Sequence, residues 1–186
     1  MPAESERLPG DFDIWVFVFA DLASFAFYFV VFMIYRVQHP ALFLAEQQHL
    51  DVELATVNTL VLLASSRCVA KAILVARRGD HEGAVRLVAL AGLLGVLFAV
   101  IKTVEWYREI SHGYTLPRNE FWMFYFALTG VHFFHVLIGL AVLAALVREL
   151  RHQELRRPAW LESGALYWHM VDLVWVFLFA TVYLMR

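Results

Sequence analysis

Tyr167-Trp168-His169-Met170-Val171-Asp172-Leu173-Val174-Trp175 sets an imidazole and a carboxylate one helical turn apart, inside a run apolar enough to cross a bilayer. Ionisable groups at membrane depth are costly, about 2.5–3.5 kcal/mol each on insertion scales. A chain that keeps them there either uses them or shelters them. The stretch therefore marks a membrane helix and, on one of its faces, a polar group that needs company.

The rest of the chain has the same character. Of its 186 residues 61% are hydrophobic and 17% charged, and the mean hydropathy is +0.64. Soluble domains sit near half apolar and a quarter charged, so this balance excludes an ordinary soluble protein. A lipid-crossing helix needs about 20 mostly apolar residues. Segments at roughly 14–35, 55–76, 86–107, 121–147 and 165–185 meet that requirement. The expectation is an all-α membrane protein of five transmembrane helices, a single domain over residues 1–186, with loops too short for a separate soluble domain.

The first span starts behind Glu4, Glu6, Asp11 and Asp13, with Arg7 as the one basic residue, and its apolar run is long. Cleaved signal peptides have the opposite features, so this span reads as a retained helix. Cys68 is the only cysteine, which rules out an intrachain disulfide and makes thiol chemistry an unpromising reading.

Arginine distribution supplies the orientation. Arg7, Arg77, Arg78, Arg86, Arg148, Arg151, Arg156 and Arg157 fall on one side of the membrane, against Arg36, Arg108, Arg118 and Arg186 on the other. The positive-inside bias then places the N-terminus in the cytoplasm and the C-terminus outside. Trp15, Tyr35, Trp106, Tyr107, Trp122, Tyr167 and Tyr183 near the span ends suggest an interfacial aromatic belt. Pro40 and a mixed polar and apolar run over 39–54 suggest a short surface helix. Pro117-Arg118-Asn119-Glu120 reads as a turn and helix start, and Pro158 as a break before the last span. Gly92 and Gly95 mark one face of span three. Gly130 and Gly139, half a turn apart around span four, suggest close packing on two of its sides.

Counting depth at 1.5 Å per residue, Asp21, Arg67, Lys71, His169 and Asp172 lie in the cytoplasmic half of the membrane. His132 and His135 lie close to its middle. Lys102 and Glu105 stand apart, one turn from each other near the outer end of span three, where they can pair. Three readings compete for the inner cluster. His132, His135, His169, Asp21 and Asp172 could bind a metal, as helical bundles do with imidazoles and carboxylates, and the chain would then be an autonomous membrane metalloenzyme. The same groups could form a proton or ion path. Or Asp21, Arg67, Lys71, His169 and Asp172 could neutralise and hydrogen-bond one another, fixing helix register or holding lipid headgroups. The structural reading leads, because the Glu-x-x-His repeat of di-metal bundles is absent. So are the broken helices and repeated halves of transporters.

Four fragments resemble cytochrome c oxidase subunit III. Asn58-Thr59, Leu62-Leu63 and Ser65-Ser66 are similar to its asparagine–threonine and serine-pair helix. Gly95, Phe98, Lys102 and Glu105-Trp106-Tyr107 are similar to its glycine, phenylalanine and glutamate–aromatic helix. Thr129-Gly130-Val131-His132-Phe133-Phe134-His135-Val136 with Gly139 resembles its two-histidine helix. Glu162 with Tyr167-Trp168-His169-Met170-Val171-Asp172 and Trp175-Val176-Phe177-Leu178-Phe179 resembles its C-terminal signature. The fragments fall in family order on successive spans.

The resemblance implies a subunit without haem or copper of its own, packed beside a haem-containing catalytic membrane subunit of a bacterial inner-membrane respiratory complex. Cofactors would be confined to that partner, apart from structural phospholipid on this chain, and nucleic acid is not among the expected partners. Asp21, Asn58, Arg67, Lys102, Glu105, His132, His135, Glu162, His169 and Asp172 become structural, lipid-related or proton-related candidates, with no catalytic or metal-binding residue. The chain departs from the family pattern in having aspartate at 21 where glutamate is usual, Lys102 where glutamine is common, and no tryptophan–proline loop before Asn58. It also lacks the first two of seven spans. These departures, with the Tyr183-Leu184-Met185-Arg186 end, resemble the five-helix branch associated with nitric oxide reductase. A subunit III of a cytochrome c or quinol terminal oxidase is the alternative.

Overall fold

The computed structural model describes residues 10–151 and 158–185, so Arg7, Arg156, Arg157 and Arg186 lie outside the described residues. The described chain is helical: α1 (Phe12–Gln38), α2 (Pro40–Gln47), α3 (Val52–Arg77), α4 (His81–Ser111), α5 (Glu120–Arg151) and α6 (Pro158–Leu178), the last continued by a π-helical turn over Phe179–Leu184. Five of these helices are long and apolar enough to cross a membrane, in the places the hydropathy pattern predicts. The short helix expected within 39–54 is α2.

The helices run past the apolar windows because their ends are built from polar caps. Asp51 Oδ1 accepts from the Leu54 N–H at 2.9 Å, Asp80 Oδ1 from Gly83 at 2.8 Å, and Asn119 Oδ1 from Trp122 at 3.1 Å. Each satisfies one of the donors that the first turn leaves open. Gly79 and Gly113, both at φ +84°, end α3 and α4 in the left-handed conformation that glycine adopts without strain. Pro40 separates α1 from α2, since the residue before a proline is pushed away from helical backbone. Pro158 takes the first position of α6, where its missing N–H is no loss.

α3 packs on α4 and α6, and α5 packs on α4 and α6, which closes a four-helix bundle. α1 lies outside it against α6 and α5, burying only Val18, Phe25 and Phe32, and α2 sits on α5. Trp168 of α6 is fully buried in the seam between α4 and α5. A Cβ added at Gly95 would come within 2.8 Å of its ring, and one at Gly139 within 2.6 Å. The indole N–H donates to Ser65 Oγ at 3.1 Å, and that hydroxyl donates to the Ala91 carbonyl at 2.7 Å. One side chain thus ties α6 to α3, α4 and α5.

Two expectations about packing are corrected. A Cβ added at Gly92 or Gly130 would meet nothing within 4 Å, so of the two α5 glycines only Gly139 marks a close approach. Trp122, Tyr167 and Tyr183 turn into the protein and are buried, so their rings do not face lipid. Each has found an interior acceptor: Glu46 Oε2 at 2.8 Å, the His135 carbonyl at 3.2 Å and Glu105 Oε1 at 2.5 Å. Tyr107, by contrast, is exposed.

Candidate functional site

The bundle has two polar regions, one toward each end. Toward the end carrying Gln38 and Ser111, α4 directs Lys102 and Glu105 inward, three positions apart on one face. Both are 1% exposed. Lys102 Nζ donates to Glu105 Oε1 at 3.1 Å, to the Tyr125 hydroxyl at 3.1 Å and to the Tyr183 hydroxyl at 2.5 Å. The two phenols in turn donate to the same Glu105 oxygen, at 2.7 and 2.5 Å. All three ammonium protons are used, and the aromatic faces of Tyr125 and Trp175 stand 4.7 and 5.3 Å from the nitrogen. A buried ion pair is tolerable when geometry and extra hydrogen bonds compensate its desolvation; here the bonds converge on Nζ and Glu105 Oε1, while Glu105 Oε2 is buried with no hydrogen-bond partner. The pair expected from spacing is present.

Its setting was not legible. Tyr125 comes from α5 and Tyr183 from the π-helical turn, and their convergence on α4 depends on the fold as a whole. A second layer holds the π-helical turn in place. Gln47 of α2, buried, donates to the Val182 carbonyl at 2.8 Å and accepts from Arg36 Nη1 at 3.1 Å. Arg36 Nη2 also donates to the Met185 carbonyl. Glu46 accepts from Asn119 Nδ2 at 2.7 Å and from the Trp122 indole, locking α2 onto the start of α5. Buried glutamine on a short amphipathic helix is a signal that could have pointed to Gln47.

At the middle level, His132 of α5 faces α6. Its Nε2 lies 3.1 Å from the Val171 carbonyl. Because a carbonyl only accepts, the proton is on Nε2, and Nδ1 is buried with no partner. The ring stacks obliquely on Trp175, centroids 5.0 Å apart, and the Trp175 N–H donates to Thr59 Oγ1 at 2.9 Å. Asn58, fully buried, donates to the Phe98 carbonyl at 3.3 Å.

Toward the end carrying Arg77, the candidates divide between two seams. In the α3–α6 seam the Ser66 hydroxyl is 2.6 Å from His169 Nδ1, and Asp172, one turn further along α6, keeps its Oδ1 buried with no hydrogen-bond partner. In the α1–α5 seam His135 Nε2 stands 3.0 Å from Asp21 Oδ2, while His135 Nδ1 donates to the Val131 carbonyl at 2.8 Å. Glu162 closes this end, pairing with Arg77 at 2.6 Å and accepting the Gly10 N–H at 3.0 Å.

The single inner cluster anticipated from depth alone is therefore not found. Asp21 pairs with His135 instead of His169 or Asp172. Arg67 and Lys71 are exposed on the outer face of α3 and make no ion pair with any described residue. The reason is angular. Ser66 faces inward, and its neighbour Arg67 is rotated about 100° away from it. Nor do His132, His135, His169, Asp21 and Asp172 converge. Among the described residues no three His, Cys, Asp or Glu side chains form a group that could hold a metal ion.

Residues 12–186 match the family model for cytochrome c oxidase subunit III. The chain belongs to that family. It is 30% identical to quinol oxidase subunit 3 of Bacillus subtilis, over 99% of this chain and 92% of that protein. It is 33% identical to cytochrome c oxidase subunit 3 of Corynebacterium diphtheriae over 74% and 68% of the two chains. With cytochrome c oxidase subunit 3 of a Synechocystis species it shares 30% identity over 94% and 75%. For a subunit III family member, polar groups used as ties between helices agree with an accessory component, and the autonomous metalloenzyme reading has no support.

Proposed function

We propose that the chain is a non-catalytic accessory subunit of a respiratory haem-containing membrane complex, supporting the assembly, stability, lipids or proton supply of the catalytic subunit. One observation carries the reading: among the described residues, the buried polar side chains form ties between helices and do not converge as a ligand set. Family membership directs it to respiratory oxidases and their kin. The relatives' names favour a cytochrome c or quinol oxidase partner. Asp21, Lys102 and the absent tryptophan–proline loop favour a nitric oxide reductase partner, and we take that branch as the finer reading.

Arg77, Arg78, Arg86, Arg148 and Arg151 at one end, against Arg36, Arg108 and Arg118 at the other, support an N-terminus on the cytoplasmic side of a bacterial inner membrane. An open apolar groove of about 490 Å³ along Phe29, Val30, Met33, Ile34 and Val37 suits an acyl chain of a structural phospholipid.

The test is purification of the tagged full chain from its own membranes in mild detergent. A haem spectrum in the eluate, with reduction of nitric oxide, is the expected result. Oxygen consumption instead would assign the oxidase alternative. A haem-free eluate together with undiminished respiration in a strain lacking the chain would overturn the accessory role.

A further inference from the structure

The outer face of α3 carries a cation where a lipid-facing helix has no use for one. Its exposed positions form a stripe of Leu60, Leu63, Arg67, Lys71 and Leu74. At 100° per residue Arg67 is the centre of that stripe, with Leu60 and Leu74 about 20° to either side and Lys71 about 40° away. Ala64 and Ala70 flank it, so another backbone can come close. No described carboxylate pairs with either cation.

Depth decides which anion fits. Arg67 precedes Arg77, the end of α3, by ten residues, about 15 Å along the axis. A hydrocarbon layer about 30 Å thick, centred on the helix, leaves it about 10 Å below the headgroups. An extended arginine reaches roughly 7 Å from its Cα. Side chains also lean toward the helix N-terminus, which for α3 is the Val52 end, away from the nearer surface. Lys71, four residues closer to that surface, can reach headgroups by snorkelling. Arg67 falls short of them. The anion that meets it must lie at its own level.

We propose that Arg67 anchors a docking face for a second membrane polypeptide, whose helix lies along this stripe and offers an aspartate or glutamate carboxylate to the guanidinium. Arginine suits the role because its planar fork can bind a carboxylate through two parallel hydrogen bonds. The inference deepens the accessory-subunit reading by naming the face that meets a partner. It depends on that reading only for the partner's haem.

The experiment places a photoreactive phenylalanine analogue at Leu63 or Leu74 in the full chain, in its native membranes, and maps the crosslinked peptide by mass spectrometry. The expected product is one second polypeptide, joined through a membrane helix that contains an acidic residue. Arg67→Glu and Arg67→Leu should lower the crosslink yield about 30-fold or more, as truncation of a desolvated interfacial pair does. Arg67→Lys should keep most of it. Crosslinks to lipid alone, to a helix without a carboxylate, or of unchanged yield in Arg67→Glu would overturn the proposal. So would loss of the chain's own folding in Arg67→Leu, since that would give the guanidinium an internal role. A haem subunit that co-purifies while the analogue meets lipid alone would sink the docking face and leave the accessory role standing. A haem-free acidic partner, with no haem subunit co-purifying, would do the reverse.

Discussion

Tyr183, at the far end of the chain, accepts a hydrogen bond of 2.5 Å from Lys102, 81 positions earlier, and donates its own to the carboxylate that neutralises that lysine. The π-helical turn makes this contact part of the bundle's closure. It turns Tyr183 inward, while Gln47 holds the Val182 carbonyl and Arg36 the Met185 carbonyl on either side of it. A charged pair in the core is thereby bound to the seating of the C-terminal segment.

Removing either charge alone should be far worse than removing both. Lys102→Met leaves an unpaired buried carboxylate, and Glu105→Leu an unpaired ammonium; breaking a buried pair from one side costs about 3–5 kcal/mol. Lys102→Met with Glu105→Leu leaves only two phenols to rearrange and should recover most of that loss. Reversible unfolding in mixed micelles would measure the cycle. Additive losses in the double variant would mean that the two groups do not act as a pair.

The Trp168 seam makes a second, steric prediction. Gly95→Ala and Gly139→Ala each drive a methyl group into the indole and should destabilise by about 1–3 kcal/mol, the usual range for overpacking. Gly92→Ala and Gly130→Ala, with open space around them, should be neutral or slightly stabilising, because alanine is the better helix former. Equal unfolding midpoints for all four variants would contradict the packing described.

Asp21 and His135 supply the polar tie of the peripheral helix to α5, next to Phe25, whose ring meets the His135 imidazole edge-on at 5.4 Å. Asp21→Asn and His135→Phe should therefore loosen α1 selectively, with faster hydrogen exchange over residues 16–26 and little change in α3, α4 or α6. The two substitutions should show a coupling of about 0.5–3 kcal/mol, as directly contacting groups do. Uniformly raised exchange across all helices would assign the pair a global role instead.

These contacts also show how far one dimension reaches. The five long helices were legible because runs of apolar residues are local. The starts of α3 and α4 were under-read because Asp51 and Asp80 extend them with polar turns that a hydropathy window discards, whereas the Pro117–Glu120 turn marked the start of α5. The Lys102–Glu105 pair was legible from its spacing, since neighbours one turn apart must meet on a helix. Tyr125 and Tyr183 were not, because nothing near them in sequence says which helix they face. Depth placed Asp21, His169 and Asp172 at one level and so suggested one cluster, but level does not specify seam. For Arg67 the angular position relative to Ser65, Ser66 and Val69 held the answer, and reading depth without rotation concealed it.

Orientation can be read from single cysteines. In a Cys68→Ser background, Arg78→Cys lies on the α3–α4 turn and Thr115→Cys on the α4–α5 connection, at opposite ends of the bundle. With the N-terminus cytoplasmic, a membrane-impermeant maleimide added to intact spheroplasts should label position 115 at once and position 78 only after permeabilisation. The reverse order would place the basic end outside, against the positive-inside bias on which the assignment rests. It would also place the Lys102 core in the cytoplasmic half of the membrane, and move Asp21, His135, His169 and Asp172 to the side away from the cytoplasm. A role for those four groups in proton supply from the cytoplasm would then be lost, whereas their role as ties between helices would be unaffected.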